Sequence, residues 1–113
     1  MVGIAREAID IRTLVEITRR EVSLYAATSD TATFYPILDD THQIYAVVVE
    51  NDRTVSPAWV FVMARVVGDK VIIEEDATLE KHLVDALMRN GGIPREQIVL
   101  AYPGEKLPTG DGE

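Results

Sequence analysis

The stretch from residue 32 to residue 75 constrains the fold more than any other part of the chain. It holds successive runs rich in β-branched and aromatic residues, and polar turn residues separate them. Runs of this kind predict strands, and short turns between them predict antiparallel neighbours. The predicted strands are residues 32–38, 43–50, 57–67 and 71–75. Alternation along the longest run places four side chains on one face, those of Trp59, Phe61, Met63 and Arg65.

A long helix is predicted before these strands, over residues 1–27. This segment contains no proline, and its apolar positions recur at alternating spacings of four and three, so one face of the helix is apolar. The spaced positions are Ile11, Val15, Thr18, Val22 and Tyr25. A second helix is predicted over residues 78–90, with Asp76 or Thr78 as the residue that caps its N-terminus.

The stretch "GGIPREQIVLAY" ends the second helix and begins another strand. Gly91 or Gly92 supplies the left-handed residue that closes the helix, and Pro94 prevents the helix from resuming. The apolar run at residues 98–102 predicts a strand inside the sheet rather than at its edge. A polar tail, residues 103–113, follows this strand.

This order of elements predicts an α+β fold with a long N-terminal helix. The sheet is expected to be largely antiparallel, with about five strands, and the helices to pack on one side of it. A chain of 113 residues has the size of one domain, so we expect a single domain over residues 1–113. The chain has no cysteine, which excludes disulfides and thiolate metal sites.

The chain is acidic, with 11 Lys and Arg against 19 Asp and Glu and a net charge of −8. A surface of this charge repels DNA on average, so we expect no direct binding of nucleic acid. No apolar run reaches the roughly 20 residues that cross a bilayer, and no signal-peptide pattern opens the sequence. We therefore expect a cytoplasmic protein without a membrane partner.

Residues able to carry catalysis are few. Asp39, Asp40, His42 and Glu74 could serve a small metal-dependent hydrolase or nuclease, but only if the four side chains converge on one ion. A polar turn explains the first three equally well. We therefore expect no catalytic residue, no metal site and no cofactor. A further alternative is a structural module that forms a homodimer through the apolar face of the first helix or an edge strand.

Two segments, "VVGDKVIIEEDAT" and "GGIPREQIVLAYPGEKLPT", resemble the XisI family, the fdxN element excision controlling factors found mainly in cyanobacteria. The residues that match the family pattern are Gly68, Lys70, Asp76, Thr78, Gly92, Ile93, Pro94, Glu96, Ile98, Val99 and Leu100. The resemblance covers about residues 40–109. The chain departs from the pattern at Ile72, at Leu79 and after Tyr102, which indicates a divergent member.

The resemblance implies a non-enzymatic accessory or regulatory protein rather than a recombinase. Family members are similar to factors required for site-specific excision of a DNA element, and they are commonly encoded beside XisH, a nuclease-like protein. An XisH-like nuclease is therefore the implied partner, with a role in DNA element excision or nuclease control. Because the family pattern breaks in the tail, partner contacts are expected at Tyr102, Pro103, Lys106 and Thr109.

Overall fold

The computed structural model describes residues 8–51 and 57–104 of the chain. The elements are helix α1 (Ile11–Ser23), strands β1 (Ala27–Thr28), β2 (Ala32–Asp39), β3 (Ile44–Asn51), β4 (Trp59–Val67) and β5 (Lys70–Asp76), helix α2 (Leu83–Arg89), a 3-10 turn (Arg95–Gln97) and strand β6 (Ile98–Leu100). The predicted α+β class and the largely antiparallel sheet are confirmed. The described part of the chain contains no helix long and apolar enough to span a membrane.

The six strands form one sheet in the order β1-β2-β3-β4-β5-β6, and each strand from β1 to β5 is antiparallel to the next. Strand β6 runs parallel to β5 and lies at the edge. The prediction of an interior position for this strand is therefore wrong. Ile98 and Val99 are nevertheless buried, because an apolar run reports the burial of side chains and not the number of paired neighbours.

The beginning of β6 is fastened by the buried side chain of Gln97. Its amide oxygen accepts the backbone N–H of Ile9 at 2.8 Å, and its amide nitrogen donates to the carbonyl oxygens of Ile9 and Asp69 at 3.0 and 2.9 Å. Arg95 donates to the carbonyl oxygen of Ile98 at 2.7 Å. These contacts occupy part of the edge that a short terminal strand would otherwise expose.

Both helices pack on one face of the sheet, as predicted. Helix α1 lies against β2 to β5, and α2 contacts α1 and β5. The core between the two layers includes Leu14, Ile17, Val22, Tyr45, Val47, Val62, Ala64, Val66, Val71, Ile73, Leu83, Leu87, Ile93 and Ile98. Removing this apolar surface from water is the main favourable term in folding, at about 25 cal/mol per Å².

Helix α1 is shorter than the predicted helix over residues 1–27, of which residues 1–7 lie outside the described part. It begins at Ile11 because Asp10 is its cap: the carboxylate accepts the backbone N–H of Thr13 at 2.9 Å. The same hydrogen bond lowers the pKa of Asp10. The helix ends at Ser23. Of the five spaced positions, Thr18 and Val22 are buried, Val15 and Tyr25 are partly buried and Ile11 is 44% exposed. The buried face also runs through Leu14, Ile17 and Glu21, so the spacing predicted it only in part.

Helix α2 begins at Leu83 rather than at residue 78. Asp76 caps it from seven residues away, since its Oδ2 accepts the N–H of Leu83 at 2.8 Å. Thr78 does not cap the helix; its N–H and its hydroxyl both donate to Oδ1 of Asp76. Residues 77–82 are held by this carboxylate in a loop that the helical prediction did not anticipate.

The two glycines after α2 serve different purposes. Gly92 has φ +73° and is the left-handed residue that closes the helix, with its N–H donating to the carbonyl oxygen of Met88 at 3.0 Å. Gly91 lies where α2 approaches α1, and a Cβ there would be 2.3 Å from Cγ2 of Ile17. One glycine is required by the backbone conformation and the other by the close packing of the helices.

Candidate functional site

The four residues proposed for metal-dependent catalysis have separate partners. The Asp39 carboxylate binds Nδ1 of His42 at 2.7 Å, which lowers the pKa of Asp39. Asp40 accepts the hydroxyl of Tyr45 at 2.9 Å and pairs with Arg19 at 3.2 Å. No group of three or more potential metal ligands converges within residues 8–51 and 57–104. The geometry that the hydrolase alternative requires is therefore not found in this part of the protein.

The fourth of these residues, Glu74, lies on β5 and pairs with Arg65 on β4. The two side chains are on the face of the sheet opposite the helices, where β4 and β5 lose register between Met63 and Ala64. Glu74 therefore belongs to an ion pair within the sheet, and not to the Asp39 turn.

Tyr102 and Pro103, two of the predicted partner contacts, follow β6 and are exposed, Tyr102 at 41%. Burial of part of the ring raises the pKa of Tyr102, and the nearby carboxylates of Asp76 and Glu75 raise it further. Lys106 and Thr109, the other two predicted contacts, lie outside the described residues. The charge of Arg95 acts in the opposite direction and lowers the pKa, so Tyr102 lies among charged groups of both signs.

A cleft of about 410 Å³ opens between the end of α1 and the beginning of α2. We call it the α1–α2 cleft. Glu21 and Tyr25 line one wall, and Glu80 and Asp85 line the other. The basic residues Lys81 and Arg89 also line it. The volume is within the range of 300–1,000 Å³ that is typical of ligand pockets.

The walls of the α1–α2 cleft are held in place by polar contacts, some of them partly buried. Glu21 is 3% exposed, and its carboxylate accepts the Nε–H of Arg20 at 3.0 Å and the amide of Asn90 at 3.1 Å. The hydroxyl of Tyr25 donates to the carbonyl oxygen of Lys81 at 2.5 Å. The cleft is therefore a preorganised feature that ties the end of α1 to the loop and helix opposite.

Several carboxylates lie close to Tyr25 in this cleft. Burial raises the pKa of Tyr25 to about 12, and the next causes are the charges of Asp76, Glu21 and Asp85. Asp76 and Asp85 also raise the pKa of Tyr102. The carboxylates of Asp76 and Asp85 therefore raise the pKa of two tyrosines that lie in different parts of the fold. The cleft also holds Lys81 and Arg89, so the groups that could pair with a cationic ligand are the exposed carboxylates of Glu80 and Asp85.

A second surface, the side of the sheet that faces away from both helices, was not predicted. We call it the open face. Strand β4 bulges where the register shifts between Val47 and Val48 of β3, so Phe61 has no partner on β3. Phe61 contacts Tyr25 and Phe34 on the helix side. The predicted single face of β4 is therefore divided: Trp59 and Phe61 belong to the helix side, and Met63 and Arg65 to the open face.

The open face carries apolar residues together with charged ones, and Glu75 lies on it opposite Met63. The strand register and the alternation of side chains assign to it Tyr35, Ile37, Ile44, Ala46, Val48, Val60, Met63, Ile72 and Val99. Tyr35 and Ile37 protrude, with exposures of 43% and 52%, whereas Ile72 and Val99 are recessed at 3% and 4%. None of the described helices packs on these residues.

A signal for the open face was present in the sequence. The run "IYAVVV" of β3 lacks the polar residue at every second position that a strand with one face in water normally shows. A strand that is apolar on both faces is typical of a sheet covered on both sides.

Comparisons with known proteins found matches that cover most of the chain. The model of a family described as XisI protein matches residues 7–108. The structure is similar to that of a XisI-like protein from Anabaena variabilis, with a TM-score of 0.70 and 17% identity over 81% of this chain and 86% of that chain. It is also similar to the fdxN element excision controlling factor XisI from Anabaena variabilis, with a TM-score of 0.57 and 24% identity over 80% of this chain and 86% of that chain. No relative is found among curated proteins. At these identities the two solved structures show a shared fold.

Proposed function

Because the chain belongs to the XisI family, as its motifs indicated, we propose that it is a non-enzymatic accessory protein. It acts in DNA element excision or nuclease control by binding an XisH-like nuclease. The name of one structural relative, an excision controlling factor, supports this, since it describes control of excision rather than the excision reaction. The absence of a converging ligand group in the described residues is compatible with the same role.

The observation that carries the proposal is the net charge of −8, together with the exposed carboxylates of Glu80 and Asp85 at the α1–α2 cleft. A protein that acts on DNA presents basic surface to the phosphates. A chain of net charge −8 is attracted to such a surface, and complementary fields accelerate the encounter of two proteins. The carboxylates of Glu80 and Asp85, on exposed residues, are available to a lysine or arginine of the partner.

Tyr102 and Pro103 extend this docking surface. Tyr102 lies in the field of Asp85, which lines the α1–α2 cleft, and of Asp76, which holds the loop beside it. An exposed tyrosine next to a charged cleft is well suited to a protein interface, because it adds contact area at a small cost in conformational entropy. Lys106 and Thr109, which lie outside the described residues, remain predicted partner contacts.

The experiment is a binding titration against the purified XisH-like protein at low and at high salt. We expect association that weakens as salt rises. The variant Glu80→Gln/Asp85→Asn should raise the Kd about tenfold or more at low salt, since two cleft charges are lost. The matched control is Glu16→Gln/Asp30→Asn, which removes the same charge from exposed positions outside the cleft.

Two outcomes would contradict the proposal. One is a failure of the wild-type protein to bind the partner at low salt. The other is an equal effect of the cleft variant and the control variant, because binding would then depend on net charge and not on the α1–α2 cleft.

A further inference from the structure

Three large apolar side chains are exposed beside the α1–α2 cleft, each on a different element. They are Leu24, Trp59 and Leu79, with exposures of 68%, 50% and 92%. We propose that these residues, which we call the Leu79 patch, are the apolar anchor that holds the basic partner of the cleft. The inference rests on the proposed function and deepens it, since it names the contact that adds to the attraction between charges.

The pairing of β4 with β5 brings two of the three residues to one end of the sheet. The N–H of Ala77 donates to the carbonyl oxygen of Phe61 at 2.8 Å, which continues this pairing beyond Asp76. Trp59 precedes the bond by two residues and Leu79 follows it by two. Because the strands are antiparallel, both residues lie on the same side of the bond.

The third residue, Leu24, reaches the same place through its neighbour. The hydroxyl of Tyr25 donates to the carbonyl oxygen of Lys81 at 2.5 Å, which fastens the end of α1 to the loop before α2. Leu24 and Glu80 line the α1–α2 cleft together, and Leu79 is the residue before Glu80. The Leu79 patch is therefore continuous with the docking surface proposed above.

The loop fixes the position of Leu79 and keeps its side chain outside the core. The carboxylate of Asp76 accepts the N–H of Thr78 on one side of Leu79 and the N–H of Leu83 on the other, at 3.0 and 2.8 Å. A side chain that is already held in its bound position loses less conformational freedom when a partner covers it. This is the arrangement expected of an anchor.

The charges beside the patch favour a basic protein as the occupant. Glu80 and Asp85 expose two carboxylates there, and Lys81 exposes one ammonium group, in a chain of net charge −8. Protein interfaces combine an apolar centre with a polar rim. An apolar side chain of the partner, flanked by its lysines or arginines, would match both parts of this surface.

The protein's own tail is a poorer match for the same surface. Residues 105–113 contain one Lys against three Asp and Glu. A segment of this charge is repelled by the carboxylates of Glu80 and Asp85, which attract a basic partner. The sign of the charge therefore favours the partner over the tail.

The test is a titration of the purified XisH-like protein with the full chain at two salt concentrations. Leu79→Ala should raise the Kd about tenfold or more at both, because salt screens charges and does not weaken apolar burial. The cleft variant Glu80→Gln/Asp85→Asn should instead lose most of its effect at high salt. Leu79→Met keeps a large apolar side chain and should bind within about twofold of the wild type.

The matched control is Ile37→Ala, which shortens an exposed apolar side chain on the open face and should leave the Kd unchanged. Calorimetry at several temperatures gives a second measurement. Burial of apolar surface makes the heat-capacity change of binding negative. Leu79→Ala should make this change less negative, which the loss of a charge contact would not do.

The outcomes separate this inference from the proposed function. A wild-type protein that does not bind the partner would overturn both. Weaker binding by the cleft variant, with no effect of Leu79→Ala, would leave the proposed function standing and overturn the anchor. An equal loss in Leu79→Ala and Ile37→Ala would also overturn it. Tighter partner binding by a Leu107→Ala variant would assign the Leu79 patch to the protein's own tail.

Discussion

Several hydrogen bonds converge on the carboxylate of Asp76, whose side chain is 1% exposed. It holds the loop through Thr78 and the first turn of α2 through Leu83. Gly92 closes the same helix with a left-handed backbone. These three motif residues therefore maintain the fold, and none of them lines the α1–α2 cleft. Binding specificity among related chains is then expected to reside in residues outside the motifs, such as Glu80 and Asp85.

Thr18 is a buried residue whose hydroxyl has no hydrogen-bond partner among the described residues. A buried hydroxyl without a partner costs free energy, whereas valine has nearly the same shape and no polar atom. We expect Thr18→Val to increase the free energy of unfolding by about 1 kcal/mol, measured by denaturant titration. Thr18→Ser, which keeps the hydroxyl and loses the methyl group, should decrease it by about the same amount. A valine variant less stable than the wild type would show that the hydroxyl is satisfied.

Tyr45 is expected to make the protein less stable as the pH rises into the alkaline range. It is fully buried, and burial followed by the hydrogen bond to Asp40 raises its pKa to about 12. A tyrosine in an unfolded chain has a pKa of about 10. Between these values the unfolded chain loses a proton that the folded chain keeps, so stability is complete below pH 10 and falls as pH rises, by about 1.4 kcal/mol per pH unit for this residue.

The variant Tyr45→Phe isolates this contribution. It should lose about 1 kcal/mol near neutral pH because the hydrogen bond to Asp40 is absent. Its unfolding free energy should then fall less steeply than that of the wild type as pH rises through this alkaline range. Identical slopes for the two proteins in urea titrations would mean that Tyr45 does not titrate on unfolding.

At the scale of elements, the sequence predicts the strands and turns that are determined by neighbouring residues. It does not predict helix ends, bulges or strand positions that are determined by residues far away in the chain. Strands β2 to β5 were predicted nearly to the residue, because β-branched runs and the Gly68 turn are local signals. The start of α2 was missed because Asp76 caps it across six intervening residues. The bulge at Phe61 and the edge position of β6 were missed because both depend on strand pairing.

In the candidate site, too, the sequence does not predict features that depend on residues distant in the chain. The exposure of Tyr102 could be predicted from the polar tail that follows it, but the α1–α2 cleft could not. Glu21 and Asn90, which shape the cleft, are 69 positions apart in the chain. Only the packing of α1 against α2 brings them within hydrogen-bonding distance.

The contact between α1 and α2 gives a prediction with an internal control. Gly92→Ala should cost about 1 kcal/mol of unfolding free energy, because alanine resists a φ of +73° but has free space around its Cβ. Gly91→Ala should cost about 1–3 kcal/mol, because its Cβ would overlap the side chain of Ile17 and the carbonyl oxygen of Leu87.

A double-mutant cycle separates the two causes. In an Ile17→Ala background the cost of Gly91→Ala should fall by about 1 kcal/mol or more, since the overlapping methyl group is gone. The cost of Gly92→Ala should stay the same, because its strain lies in the backbone. Equal coupling of both glycines to Ile17 would contradict this division of roles.

At the scale of the whole molecule, the two surfaces lie on opposite sides of the sheet. The α1–α2 cleft is on the helix side, and the open face is on the other. A partner bound at the α1–α2 cleft would therefore leave the open face accessible.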